Sequence, residues 1–170
     1  MIYANRLSGR EAKVVVMTGD GELQEGQIWE SMIGAANARM RELTVVVDHN
    51  KLQSDTFVQS TSHLGDLEAK FNAFGWYVAR CDGHDFNALK DTFNSLMSEM
   101  DRPRVLIADT IKGRGISFME HTAFPASDGL YRYHSGAPSE QDYEKGVEEL
   151  IGVINEGLND IGCDLLELDQ

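Results

Sequence analysis

Two short stretches of this sequence hold residue types that could bind a metal ion and an anion together. Gly19-Asp20-Gly21 follows Val14-Val15-Val16, and Asp48-His49-Asn50 follows Val45-Val46-Val47. Short runs of β-branched residues read as buried strands. Two such parallel strands would bring Asp20 and Asn50 to one edge of a sheet. Open α/β sheets bind their ligands at that carboxyl edge. Asp20 offers a carboxylate, Asn50 a neutral amide oxygen, and the nearby backbone further carbonyls. These hard oxygen donors suit Mg²⁺ or Ca²⁺ better than zinc. One carboxylate leaves most of a Mg²⁺ charge to be balanced, a task that phosphates ordinarily share. Gly19 and Gly21 permit close backbone approach to an anion, and the helix that follows points its positive end towards it. The chemistry is that of a metal-bridged diphosphate.

Gly-Asp-Gly alone is a common turn. Followed by Asp-x-Asn after a second strand, with 30 positions from Asp20 to Asn50, it resembles the thiamine diphosphate fingerprint. Gly19-Asp20-Gly21-Glu22-Leu23-Gln24-Glu25-Gly26-Gln27-Ile28-Trp29-Glu30 and Asp48-His49-Asn50-Lys51-Leu52-Gln53 resemble a transketolase. Phe74-Gly75-Trp76, Asp82-Gly83-His84-Asp85 and His134-Ser135-Gly136-Ala137-Pro138 continue the resemblance in order, over roughly residues 4 to 150. It is nearest to split transketolases, whose halves are separate chains.

The resemblance implies transfer of a two-carbon ketol unit between a ketose or ketose phosphate donor and an aldose acceptor. It implies thiamine diphosphate with Mg²⁺ or Ca²⁺ as cofactors. Asp20, Asn50 and the carbonyl of Leu52 become the metal ligands. Asp20, Gly21, Glu22, Asn50, Leu52, Lys112 and His134 become the cofactor-binding set, with His134 also catalytic. Glu25 becomes an internal carboxylate linking two active sites across a dimer; its plainer reading is a first-turn charge on a helix dipole. The glutamate that activates the cofactor's pyrimidine ring lies on another domain in this family. A C-terminal, pyrimidine-binding partner chain is therefore implied, in a dimer of such pairs. Residues 4–10 resemble the end of the helix before the first motif strand, so the chain is expected to lack the family's upstream segment. Two alternatives stand beside this reading: another thiamine enzyme, such as a deoxyxylulose phosphate synthase or one chain of a ketoacid dehydrogenase, and a non-catalytic remnant.

Composition agrees with a globular α/β protein. The 170 residues are 42% hydrophobic and 25% charged, enough for one domain with a core. A net charge of -13 argues against a broad nucleic-acid or anionic-membrane surface. Cys81 and Cys163 have neither zinc nor redox spacing and read as reduced thiols of a cytoplasmic protein. No apolar run approaches the ~18 residues of a membrane span.

The elements that must position these residues follow from patterning. Strands are expected at Lys13 to Thr18, Leu43 to Asp48, Trp76 to Cys81 and Val105 to Asp109. A helix from about Gln24 carries Trp29, Met32, Ile33, Ala36 and Met40 on one stripe. Residues 50–62 read as a polar surface loop, with His49 and His63 solvated at its ends. Asp66 to Phe74 is a short helix closed by Gly75. Asp85 caps a helix that buries Phe86, Leu89, Phe93, Leu96, Met97 and Met100. Residues 111–115, with two glycines beside Lys112 and Arg114, form a loop that could face an anion. Residues 116–138 are irregular, with an insertion at 122–133, and Ser139 opens a last helix through a capping box. The expected fold is a parallel sheet with helices on both faces, a thiamine diphosphate-binding fold incomplete at its N-terminus. It spans residues 1–159, with an acidic tail at 160–170.

Overall fold

The β-branched runs form strands within a residue of where the sequence puts them. The computed structural model describes residues 1–124 and 130–166. It divides into two compact units, Met1–Thr110 and Ile111–Gln170. The first unit runs α1 (Ile2–Leu7), β1 (Val14–Gly19), a 3₁₀ turn (Gly21–Gln24), α2 (Gly26–Asn37), β2 (Leu43–His49), β3 (Leu52–Gln53) and β4 (Thr56–Phe57). It continues through α3 (Val58–Thr61), α4 (Leu67–Ala73), β5 (Tyr77–Asp82), α5 (Phe86–Ser98) and β6 (Arg104–Asp109). The main sheet is parallel, ordered β1-β2-β6-β5, with Thr18 opposite Val47 and His49 opposite Asp109.

Alternation along the central strands sorts side chains to two faces. Val45, Val47, Val105 and Ile107 face one way and pack with Met32 and Ala35 of α2, Leu67 and Phe71 of α4, and Trp76. On the other face Leu106 is fully buried, and the buried Arg104 donates through Nη1 to the carbonyls of Leu96 and Glu99 at the end of α5. The sheet is therefore covered by helices on both faces, as expected. The cover stops short of β1, where Val15 is 57% and Met17 72% exposed.

The polar stretch 50–62 is not a plain loop. It contains the antiparallel ribbon of β3 and β4 and the single turn α3, anchored by buried Leu52 and Val58. The apolar stripe of α5 is also shallower than its periodicity implies. Only Leu96 is buried on that helix, while Phe86 is 87% and Met100 59% exposed. Likewise Ile33 of α2 faces solvent, and Ala35 takes the buried place. The expected caps hold, with Asp85 accepting from Asn87 and Ala88 N–H and Gly75 turning away from α4 at φ +83°; Asp66, expected inside its helix, instead caps it by accepting from Ala69 N–H.

The second unit consists of the turns of residues 111–124, the segment 130–139 and α6 (Glu140–Asp160), capped by Ser139 accepting from Asp142 N–H. Asn155 pairs both ways with the backbone of Leu166, which ties residues 161–166 back to α6. The middle of the expected insertion, with Pro125 and Gly129, and the end of the expected tail, residues 167–170, lie outside the described residues. No helix among the described residues is long and apolar enough to cross a membrane.

Candidate functional site

Adjacent strand ends bring Asp20 and Asn50 together at the carboxyl edge of the sheet. Asp20 N–H donates to the carbonyl of Asp48 on the neighbouring strand (3.1 Å). Asp20 Oδ2 accepts from the N–H of Lys51 (2.6 Å). The residue is fully buried, and its Oδ1 has no hydrogen-bond partner. Burial pushes the Asp20 carboxyl above its usual range, against the opposing pull of Lys51 N–H and His49.

Asn50 is held on two sides. Its Nδ2 donates to Asp48 (2.9 Å), and its Oδ1 accepts from Leu52 N–H (2.9 Å). Asp48 also takes the hydroxyl hydrogen of Thr110. Lys51, between Asn50 and Leu52, sits in the left-handed region at φ +68°, an uncommon backbone for a non-glycine residue. Gly21 lies against the β3–β4 ribbon, where a Cβ would come within 3.1 Å of Gln53 Cβ. Glu22 folds back on the strand end, its carboxylate accepting from Gly19 N–H (2.7 Å) and the Thr18 hydroxyl (3.0 Å). Glu25 stands exposed at the N-terminal end of α2 with no side-chain capping bond.

A charged chain runs away from this edge. His49 Nε2 lies 4.0 Å from Asp20 Oδ2, and its Nδ1 hydrogen-bonds Asp109 (2.7 Å). Arg80 grips Asp109 through Nε and Nη2 (2.6 and 2.9 Å) and reaches Glu68 (3.2 Å). The Arg80 guanidinium holds the Asp109 carboxyl down at about 2. His49 is therefore not the solvated histidine that its polar neighbours suggest, and nothing local in sequence marks Arg80 or Asp109. The available signal is positional: His49 and Asp109 end two neighbouring parallel strands at the same level. His63 and His84 stay at exposed turns, where His63 Nδ1 accepts from Gly65 N–H and His84 N–H donates to Asp82.

Lys112 and His134 meet within the second unit. Lys112 Nζ lies 2.9 Å from His134 Nδ1 and 5.5 Å from the centre of the Tyr131 ring. Lys112 N–H donates to Nδ1 of His121 (3.0 Å), and His121 N–H donates to the Lys112 carbonyl (2.9 Å). Gly113, at φ +82°, keeps this turn tight, since a Cβ there would stand 2.0 Å from the Met119 carbonyl oxygen. A cleft of about 380 Å³ lined by Tyr133, Ser135 and Ser139 lies in the same unit. The buried His121 also escapes sequence reasoning, for its sequence neighbours give no hint that it pairs with Lys112.

The donor set at Asp20 fits a hard divalent cation: one carboxylate with an unused oxygen and an amide oxygen with a second lone pair. Among the described residues, no group of three or more His, Cys, Asp and Glu side chains could hold a metal. A cation here would therefore rest on Asp20 with neutral oxygens and the ligand's own phosphates.

Residues 6–146 match the family described as transketolase, thiamine diphosphate binding domain. Over 150 residues the chain is 37% identical to one subunit of the apulose-4-phosphate transketolase of Actinobacillus succinogenes, covering 88% of this chain and 51% of that one. It is 34% identical over 137 residues to the 6-deoxy-6-sulfo-D-fructose transketolase subunit SqwG of a Clostridium species, covering 81% and 47%. It thus spans about half the length of these curated relatives. Its fold is similar to the crystal structure of transketolase from Campylobacter jejuni, with a TM-score of 0.64 at 18% identity, over 94% of this chain and 28% of that one. With this match over most of its length, at the edge where Asp20 and Asn50 converge and beyond it, the chain belongs to the transketolase family, in its thiamine diphosphate binding domain.

Proposed function

We propose that this chain forms the diphosphate-binding half of an enzyme that moves a two-carbon ketol unit from a ketose or ketose phosphate donor to an aldose acceptor. The observation that carries the reading is Asp20, a buried carboxylate at a strand end with one oxygen left without a hydrogen bond. Leaving such an oxygen unpaired is costly unless a ligand completes it. Mg²⁺ or Ca²⁺ would take Asp20 Oδ1, Asn50 Oδ1 and the carbonyl of Leu52 as protein ligands. Gly21 lets the backbone approach the diphosphate, Glu22 steadies the strand end through Gly19 N–H, and Lys112 adds a positive charge. Thiamine diphosphate, when bound, would supply the nucleophilic carbon through which the donor's carbon–carbon bond is broken and a new one to the acceptor is formed. His134 acts on the substrate, meeting the oxygen on which negative charge builds.

A pyrimidine-binding partner chain supplies the other half of the active site, in a dimer of such pairs. The exposed Glu25 is free of a capping role and suits a contact between two such halves. Residues 1–159 serve as the binding domain and 160–170 as an acidic tail. The free Cys81 and Cys163 fit a reducing cytoplasm. Two relatives are named for apulose 4-phosphate and for 6-deoxy-6-sulfo-D-fructose, so the donor is specified here only as a ketose or its phosphate.

Calorimetry of thiamine diphosphate with Mg²⁺ on the assembled protein tests this. Asp20→Ala removes the only charged ligand, and Asp20→Asn keeps the shape without the charge. Both should abolish Mg²⁺-dependent binding. Wild-type affinity in Asp20→Ala rules the assignment out.

A further inference from the structure

We propose that His121 is a positioning residue which, through Lys112, fixes His134 as a neutral imidazole with its proton on Nε2, a hydrogen-bond donor for an anionic oxygen. The proposal deepens the reading above, because it rests on His134 belonging to the cofactor and substrate site. Lys112 Nζ and His134 Nδ1 stand 2.9 Å apart. The ammonium of lysine has hydrogens to donate and no lone pair with which to accept. The proton between them therefore stays on Nζ, which donates, and Nδ1 accepts. A neutral imidazole that accepts at Nδ1 carries its hydrogen on Nε2. In this state the ring donates from Nε2, and Nδ1 is not available as a proton acceptor for the substrate.

A lysine does not hold such a bond unaided, because its ammonium rides on a flexible four-carbon stem. Here the stem is restrained at both ends. At the backbone, His121 closes a two-way bridge: Lys112 N–H donates to its Nδ1, and its own N–H donates to the Lys112 carbonyl. At the tip, the ammonium lies over the face of Tyr131, whose hydroxyl is tied to the Met119 carbonyl (2.8 Å). His121 is 7% exposed, so its bridge is shielded from competing water. Without an acceptor at that point, Lys112 N–H loses its partner. The turn would then relax and release Nζ from His134.

The ring nitrogens report this directly in long-range ¹H–¹⁵N spectra of the full chain at about pH 8, above the ordinary histidine range. In the wild type, His134 should show a protonated Nε2 and a bare, hydrogen-bonded Nδ1 without tautomer averaging. Lys112→Met should shift both nitrogens towards the averaged values of a free imidazole. His121→Leu should do the same with Lys112 intact, and so should the polar His121→Gln, whose amide extends past the Nδ1 position. His121→Asn puts an oxygen near that position and should restore the wild-type signals. Amide signals of the sheet show in each case that the fold stands, and the glutamine variant serves if leucine disrupts it. Wild-type His134 signals in Lys112→Met, or in both His121→Leu and His121→Gln, overturn the proposal. Inorganic diphosphate should move the His134 Nε2 proton in the wild type, and no movement overturns the donor role. The tautomer signals need neither cofactor nor turnover, so a failure of the ketol-transfer reading would leave them unchanged.

Discussion

Asp20 carries two opposing demands. Its carboxylate lies fully buried, with the Lys51 N–H on Oδ2, the Gly21 N–H close by and no hydrogen bond on Oδ1. A buried charge with incomplete partners destabilises the chain that holds it, and a cation offsets that cost only when bound. Asp20→Asn removes the charge and keeps an oxygen for Lys51 N–H. In the metal-free chain it should therefore raise the melting temperature, by about 2–4 °C for each ~1 kcal/mol recovered. Calorimetric melting without and with Mg²⁺ and thiamine diphosphate checks this: the variant should be the more stable without ligand and gain nothing with it. A lower metal-free melting temperature would mean that Asp20 is satisfied in the free chain. His134 makes the complementary case, as it sits exposed and spends Nδ1 on Lys112. Its loss should leave the fold and metal binding intact and lower turnover of an active assembly by about 10²–10³, the cost of removing one hydrogen-bond donor to a developing oxyanion. Turnover within about threefold of wild type, well short of that span, would return it to an ordinary loop histidine.

The elements translate strand register into side-chain contact. His49 and Asp109 are paired positions of β2 and β6, and Arg80 reaches them from β5. Three strand ends are thereby tied on the side of the sheet that carries Asp20. The Asp109 carboxyl titrates at about 2 in the folded chain against an ordinary value of 3.8, first through its bond to Arg80 and then through His49. A depressed carboxyl contributes stability that is present above the unfolded value and lost as pH falls through the folded one. Asp109→Asn should thus be less stable than wild type near neutrality, and the gap should close between about pH 4 and pH 2. Denaturant melts at several pH values measure the gap, and a gap constant across that window would remove Asp109 from the network. Much of this level is legible in sequence: β-branched runs announce the strands, and Asp66, Asp85 and Ser139 announce their helices. The ribbon of β3 and β4 is not, because Leu52 and the pair Phe57-Val58 are the only apolar residues of a polar stretch, too few to show a period. Periodicity gives the stripe of α5 but not its depth, since Phe86 and Met100 are buried only if something covers them. The His49–Asp109–Arg80 chain escapes because its members lie far apart in sequence, and only the sheet makes them neighbours.

On the scale of the molecule, charge and apolar surface work against each other. The net charge of -13 keeps copies apart by mutual repulsion. β1, at the edge of the main sheet, offers the opposite influence. Val15 and Met17 lie exposed on one of its faces and Val16 on the other, beside an outer row of backbone groups outside the main ladder. Proteins ordinarily protect such an edge with lysine, proline or a covering element, and neither lysine nor proline lies within β1 itself. An uncovered apolar edge of this kind is a site of association. The chain should therefore associate, with itself when alone and with the proposed partner half where one is supplied, and alone it should not catalyse ketol transfer. Salt separates the two forces. Repulsion between exposed charges is screened over a Debye length of about 10 Å at 0.1 M and about 3 Å at 1 M, whereas apolar contact is not weakened by screening. Sedimentation of the isolated chain should then show more association as sodium chloride rises. Val15→Lys with Met17→Lys, which places charge on the exposed face without altering the ladder, should reduce association at every salt concentration. A wild-type chain that stays monomeric at high salt, or a monomer that transfers a ketol unit with thiamine diphosphate and Mg²⁺, would refute this view of the edge as an interface.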